Sequence, residues 1–168
     1  AVQVEMEFWL ESHGVKTTAL DHLVQKHCQP GQPRPPLASN QLNGMLKGFI
    51  DLLFVHAGRY YVVDWTSNRL GTDDAAYTRE AMQAAMLHHR YDLQAVLYVL
   101  ALHRLLKARL PNYDYDRDVG GAIYVFLRGA AAASQGLLMD KPPRQLIEAI
   151  DELFAGAAHH FENAINPR

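Results

Sequence analysis

Apolar and polar positions divide the chain into alternating blocks. Val2, Val4, Met6, Phe8 and Leu10 alternate with Gln3, Glu5, Glu7 and Trp9, the period of a strand with one core face. Thr17 or Thr18 is placed to cap a helix with Leu20, Leu23, Val24 and His27 on one side. Residues 29–44 hold four of the eight prolines, with Gly, Ser and Asn, and predict a loop. Met45 to Val55 and Tyr60 to Trp65 are nearly continuous apolar runs joined by His56-Ala57-Gly58-Arg59, which predicts a hairpin. Runs apolar on both faces suggest strands buried between layers.

A polar loop over 70–76 leads to two helical segments, Tyr77 to His89 and Asp92 to Leu110. In the second, Leu93, Val96, Leu97, Leu100, Ala101 and Leu105 recur at helical spacing, and Pro111 follows its end. Ala122 to Leu127 reads as a buried strand, the Ala- and Gly-rich stretch 129–140 as a loop, and Pro142-Pro143 as the opening of a last helix. The order is β-α-β-β-α-α-β-α, with no internal repeat. The fold class it predicts is α/β, a mixed sheet flanked by helices.

Composition narrows the partners. The chain has 168 residues, about one ordinary domain, and 49% of them are apolar. A net charge of −2 excludes an electrostatic blanket over nucleic acid but not a local basic groove. The single cysteine, Cys28, excludes a disulfide framework and a cysteine zinc site. No apolar run reaches the ~18 residues of a membrane span. The acidic, alternating start is unlike a signal peptide. The expectation is an intracellular domain without a membrane, beginning inside an element as a fragment of a longer protein does.

The candidate chemistry lies where the hairpin breaks its own pattern. Asp51 interrupts GFIDLLFV and Asp64 interrupts YYVVDW; an ionised carboxylate among buried neighbours is costly without a partner. If Ala57-Gly58 is a two-residue loop, His56 faces Arg59 and paired residue numbers sum to 115, as 51 and 64 do. The carboxylates are then cross-strand neighbours, about 5 Å apart at Cβ, and repel unless a divalent cation or a proton comes between them. Ala in such a loop needs φ > 0. A three-residue loop with a Gly bulge shifts the sum by one, and only a further bulge restores a shared face. The competing reading makes each Asp a satisfied core group or a strand-end residue.

The segments QVEMEFWL, GMLKGFIDLLF, GRYYVVDW-T-SNRLG, AYTREAM, HRYDLQAVLYVLALHR, NYDYD and GGAIYVFLRG, in that order, resemble the C-terminal nuclease domains of the RecB-type helicase–nucleases (exodeoxyribonuclease V) over most of the chain. The resemblance implies the restriction-endonuclease-like PD-(D/E)XK core and metal-dependent hydrolysis of DNA, single- and double-stranded at its ends, in break repair and recombination. It implies Mg²⁺ as cofactor, held by Asp51, Asp64 and the backbone carbonyl of Trp65. It implies roles for Gln94 and Tyr98, whose i, i+4 spacing puts both on one helix face. The partners implied are RecC and RecD in the full enzyme and the recombinase RecA, in the bacterial cytoplasm.

Two departures from the family pattern stand out. The family keeps Asp/Glu-x-Lys, whereas this chain has Asp64-Trp65-Thr66. Thr66 shares parity with Asp64 but offers only a weak hydrogen bond where an ammonium would offset charge at the phosphate. The lysine was replaced deliberately, lost in the lineage, or superseded by another residue; Lys47, of the same strand parity as Asp51, is a candidate. The second departure is the metal-binding His helix upstream of the first strand. Residues 1–168 read as a nuclease-domain fragment lacking it, and none of the nine histidines sits in a matching context. His88-His89 and His159-His160 read as solvated helix ends. The expectation is an impaired nuclease; the alternative is a non-catalytic module that docks RecC or RecA.

Overall fold

A computed structural model describes residues 2–37 and 41–165, with the side chains of Val4, His13, 41–46 and 156–165 left undescribed. The elements are β1 (Val2–Lys16), α1 (Thr17–His27), β2 (Gln41–His56), β3 (Arg59–Thr66), α2 (Arg79–His88), α3 (Tyr91–Arg109), the single turn α4 (Tyr115–Asp118), β4 (Val119–Phe126), β5 (Leu137–Asp140) and α5 (Arg144–Ile165). The strands form one sheet in the order β1-β2-β3-β4-β5. Only β3 and β4 run parallel; the other neighbours are antiparallel.

The predicted α/β class and element order hold, with local differences. The Ala- and Gly-rich loop over 129–140 contains β5, whose Leu138 is buried while Leu137 and Met139 are exposed. Four residues with one core position carry too little periodicity to announce a strand. Gln41 to Gly44, read as loop, belong to β2 and pair with Lys16 to Ser12 of β1. Neither Thr17 nor Thr18 caps α1: Lys16 is at the cap position and makes no side-chain cap bond. Thr78 caps α2 instead, its hydroxyl accepting from Ala81 N–H.

The strands are not buried between two layers. Helices α1, α3 and α5 pack on one another and α2 packs on α3, a layer over the face that carries Leu53, Val62, Ala122, Tyr124 and Phe126. On the other face Trp9, Phe49, Trp65, Leu137 and Met139 are exposed. Phe54 and Tyr61, cross-strand partners there, shield each other by stacking at 5.0 Å. The apolar runs of the hairpin therefore reflect one helix-covered face and one face of mutually packed strand side chains.

A second set of buried groups ties the helices together. Arg90, in the left-handed conformation (φ 55) at the start of α3, pairs with Asp21 of α1 and with Asp92. Arg34, its side chain fully buried, pairs with Asp92 at 2.7 Å and donates to the Cys28 and Gln29 carbonyls. The Pro-rich segment is thus anchored to α3 by charge.

Candidate active site at the fork between two strands

The hairpin turn sets the register. Ala57 and Gly58 both have positive φ, 51° and 77°, the two-residue geometry whose twist matches the strands. His56 faces Arg59 and Leu52 faces Val63, so paired numbers sum to 115 as expected. Alanine tolerates this conformation at a strain of ~1–2 kcal/mol.

The irregularity lies further along the strand. Ile50 and Leu53 are both in the core, although three residues apart they belong to opposite faces of a regular strand. The alternation resets at Asp51, and the neighbouring β1 residue Glu5 has φ 54, flanked by the pairs Val4–Leu52 and Met6–Ile50. Pairing of β2 with β3 ends at Leu52–Val63, while β3 continues alongside β4 through Asp64–Tyr124, Trp65–Val125 and Thr66–Phe126. The two strands fork there. Trp65 N–H, released from the ladder, donates to Asp51 Oδ2 at 3.3 Å.

The fork brings the two carboxyls into hydrogen-bonding contact. Burial, that hydrogen bond and the charge of Asp51 push the Asp64 carboxyl up to about 7, against a smaller opposing effect of the Trp65 backbone. No lysine or arginine is among the groups acting on it. Near neutral pH the Asp64 carboxyl is thus poised between holding a proton and giving it up to a cation.

Helix α3 supplies the roof. Tyr98 of α3 has its phenol pushed above the ordinary tyrosine range by burial, then by the charges of Asp64 and Asp51. The Phe8 ring meets Tyr98 edge-on at 5.5 Å and lies over Gly48, where a Cβ would sit 2.4 Å from the ring. That close approach is why GMLKGFID needs glycine at this position. Gln94 Oε1 accepts from the Tyr124 hydroxyl at 2.7 Å, which leaves the Gln94 amide N–H groups available as donors. Gln94, Tyr98, Asp51 and Asp64 are thereby assembled at one place, with the Trp65 backbone between the acids.

Thr66 is 9% exposed on the same face as Asp64. Its hydroxyl accepts from Asn68 N–H at 3.2 Å, and Asn68 donates to the Tyr91 hydroxyl at 2.8 Å. Thr66 therefore shapes the strand end and carries no charge. Lys47 is no substitute for the absent lysine: it pairs with Glu7 at 3.1 Å and lies over the rings of Trp9 and Phe49. His88 and His89 are exposed at the end of α2, as expected of solvated positions; the side chains of His159 and His160 lie outside the described residues. Sequence reasoning missed Tyr124 as a site residue, although its register opposite Asp64 on a parallel neighbour is the signal that could have found it.

Two adjacent carboxylates with no lysine or arginine beside them among the described residues suit a small oxygen-seeking ion such as Mg²⁺, which takes one or two protein carboxylates and completes its shell with water and phosphate oxygens. Among the described residues no third His, Cys, Asp or Glu joins them.

The RecBCD enzyme subunit RecB of Escherichia coli strain K12 is 51% identical over 157 residues, which cover 92% of this chain and 13% of that protein. The RecB subunits of Haemophilus influenzae and Mycobacterium tuberculosis H37Rv are 43% identical over 152 residues and 40% over 160. These cover 89% and 84% of this chain and 12% and 15% of the two proteins; the chain spans a small part of the relatives it matches. A profile of the PD-(D/E)XK nuclease superfamily matches residues 4–167, and with the forked strands and paired acids in place the chain belongs to that superfamily.

Proposed function

We propose that this chain is the nuclease domain of a RecB-type helicase–nuclease, acting on DNA ends in double-strand-break repair and recombination. The carrying observation is the uncompensated pair Asp51 and Asp64 at the fork, the position of the superfamily's acids. The two carboxylates would hold Mg²⁺, with the Trp65 carbonyl beside them. The ion would supply phosphate polarisation and activation of water for phosphodiester hydrolysis. Asp64 would have to be deprotonated to hold it, and Asp51 is kept in place by Trp65 N–H. The Gln94 amide and the Tyr98 hydroxyl, on the roof of the same recess, orient the DNA backbone by hydrogen bonds.

Thr66 weakens this machinery, since a lost electrostatic stabiliser typically costs about 100- to 1,000-fold in rate. In the full enzyme the domain works in an ATP-dependent exonuclease with RecC and RecD in the bacterial cytoplasm, and meets RecA. The test is Mg²⁺-dependent degradation of linear single-stranded DNA. The chain as it stands cleaves little or not at all; Thr66→Lys gains weak activity, and Asp51→Ala added to it abolishes that gain. A folded, metal-binding Thr66→Lys protein with no cleavage would favour a second reading, a module that docks RecC or RecA without catalysis.

A further inference from the structure

Beyond the carboxylates, the chain continues past the C-terminal ends of the only parallel pair in the sheet, β3 and β4. Ends of this kind open the crevices in which α/β sheets receive ligands. Two arginines stand there, Arg69 after β3 and Arg128 after β4, and both line one cleft of about 320 Å³ with Gly71, Thr72, Asp73 and Tyr77.

Among the described residues each guanidinium is held by its Nε alone. Arg128 Nε donates to the Ser67 carbonyl at 2.7 Å, and Arg69 Nε donates to the Gly71 carbonyl at 3.2 Å. Among the described residues neither has a carboxylate within ion-pair distance, in contrast to the buried arginines Arg34 and Arg90. Both side chains are exposed, so their terminal N–H groups remain free to bind a planar, two-oxygen acceptor. Ser67 lies three residues beyond Asp64, about 10 Å along an extended chain.

We infer that Arg69 and Arg128 form a two-point phosphate-binding cleft that holds the DNA strand beside the hydrolytic site. The inference rests on the nuclease reading for its substrate class and adds two positioning residues to it. Asp73 and Asp74, which also line the cleft, oppose binding and keep it weak for free anions. A strand is retained when neighbouring phosphates engage both guanidiniums at once.

The test is binding of a labelled oligothymidylate to the chain in chelator across a range of salt concentrations. For the unaltered chain the affinity falls with salt. Loss of two phosphate contacts in Arg69→Ala/Arg128→Ala makes the slope of log K against log salt shallower by about 1.4, at roughly 0.7 per contact on a single strand, and weakens low-salt binding at least tenfold. Arg69→Lys/Arg128→Lys keeps most of the slope although it removes both Nε anchors. Asp73→Asn/Asp74→Asn tightens binding. An unaltered chain that does not bind the oligonucleotide, or an alanine double variant with unchanged slope, overturns the cleft. So does a lysine double variant that fails as badly as the alanine one, because the arginines then act only by pinning their loops. Chelator takes the proposed metal site out of the assay, so failure here leaves the carboxylate pair standing, and failure of metal binding leaves the cleft standing.

Discussion

Two sets of carboxylates, one buried and one half-buried, are treated in opposite ways. Asp21 and Asp92 are locked between Arg90 and Arg34, with the remaining guanidinium N–H groups bound to the carbonyls of Cys28, Gln29 and Pro35. Asp51 and Asp64 have each other and one backbone N–H. Charges in the first set are neutralised within the protein, which makes a joint between α1, the Pro-rich segment and α3. The second set stores like-charge repulsion that, in the function proposed, a cation from solution would relieve. A buried acid alone does not mark a candidate site; an acid that the protein leaves without a countercharge does.

The largest effect expected from this contrast is on stability. Asp92→Ala strands the buried Arg34 guanidinium and takes one of two carboxylates from Arg90, and should cost about 3–5 kcal/mol in urea melts. A loss under 1 kcal/mol would erase the distinction between the two sets. Next is the rate: Thr66→Lys should raise Mg²⁺-dependent cleavage by up to about 100-fold, measured on linear single-stranded DNA. The ammonium must extend from a nearly buried position, its stem along apolar neighbours.

Removing charge from the second set should have the opposite sign to Asp92→Ala. In chelator at pH 8, Asp64→Asn should stabilise the fold by about 1 kcal/mol, far less than in a dry interior because the carboxyl is partly open to water. The pH dependence follows from the raised Asp64 carboxyl, at about 7 when folded against 3.8 as the ordinary value. Between these values the folded chain keeps a proton that the unfolded chain has lost. The contribution is therefore fully present below pH 4 and disappears as pH rises through 7. Melts of the parent chain and Asp64→Asn from pH 4 to 8 should diverge in that window, the parent losing stability relative to the variant. The smallest effect isolates the turn. Ala57→Asn suits the positive φ and should add about 0.5–1 kcal/mol while leaving metal affinity unchanged. A change in affinity would mean that the turn, and not the reset at Asp51, places the carboxylates.

The contrast was half legible in the sequence. Asp51 and Asp64 break apolar runs, and the hairpin register read from four loop residues aims them at one another; they are not the direct cross-strand partners expected, because pairing ends at Leu52–Val63 and the strands fork there. The reset of alternation at Asp51 could not be read, because the left-handed Glu5 that accompanies it occupies an ordinary-looking position in a neighbouring strand. Nothing local in the sequence marks Asp21, Arg34, Arg90 and Asp92 as one buried cluster, since nothing local shows that a Pro-rich segment folds back onto α3. Strand β5 was lost in an Ala- and Gly-rich stretch, and with it Tyr124's place between β3 and a further strand. What local periodicity encodes was readable; what long-range pairing creates was not.

The central claim is that Asp51 and Asp64 together form a divalent-cation site. Calorimetric titration of the chain with Mg²⁺ or Mn²⁺ near pH 7 tests it directly. The account predicts saturable binding at one site with release of a proton, lost in both Asp51→Asn and Asp64→Asn while the two variants stay folded. No binding to the parent chain, or binding that survives either substitution unchanged, would contradict it.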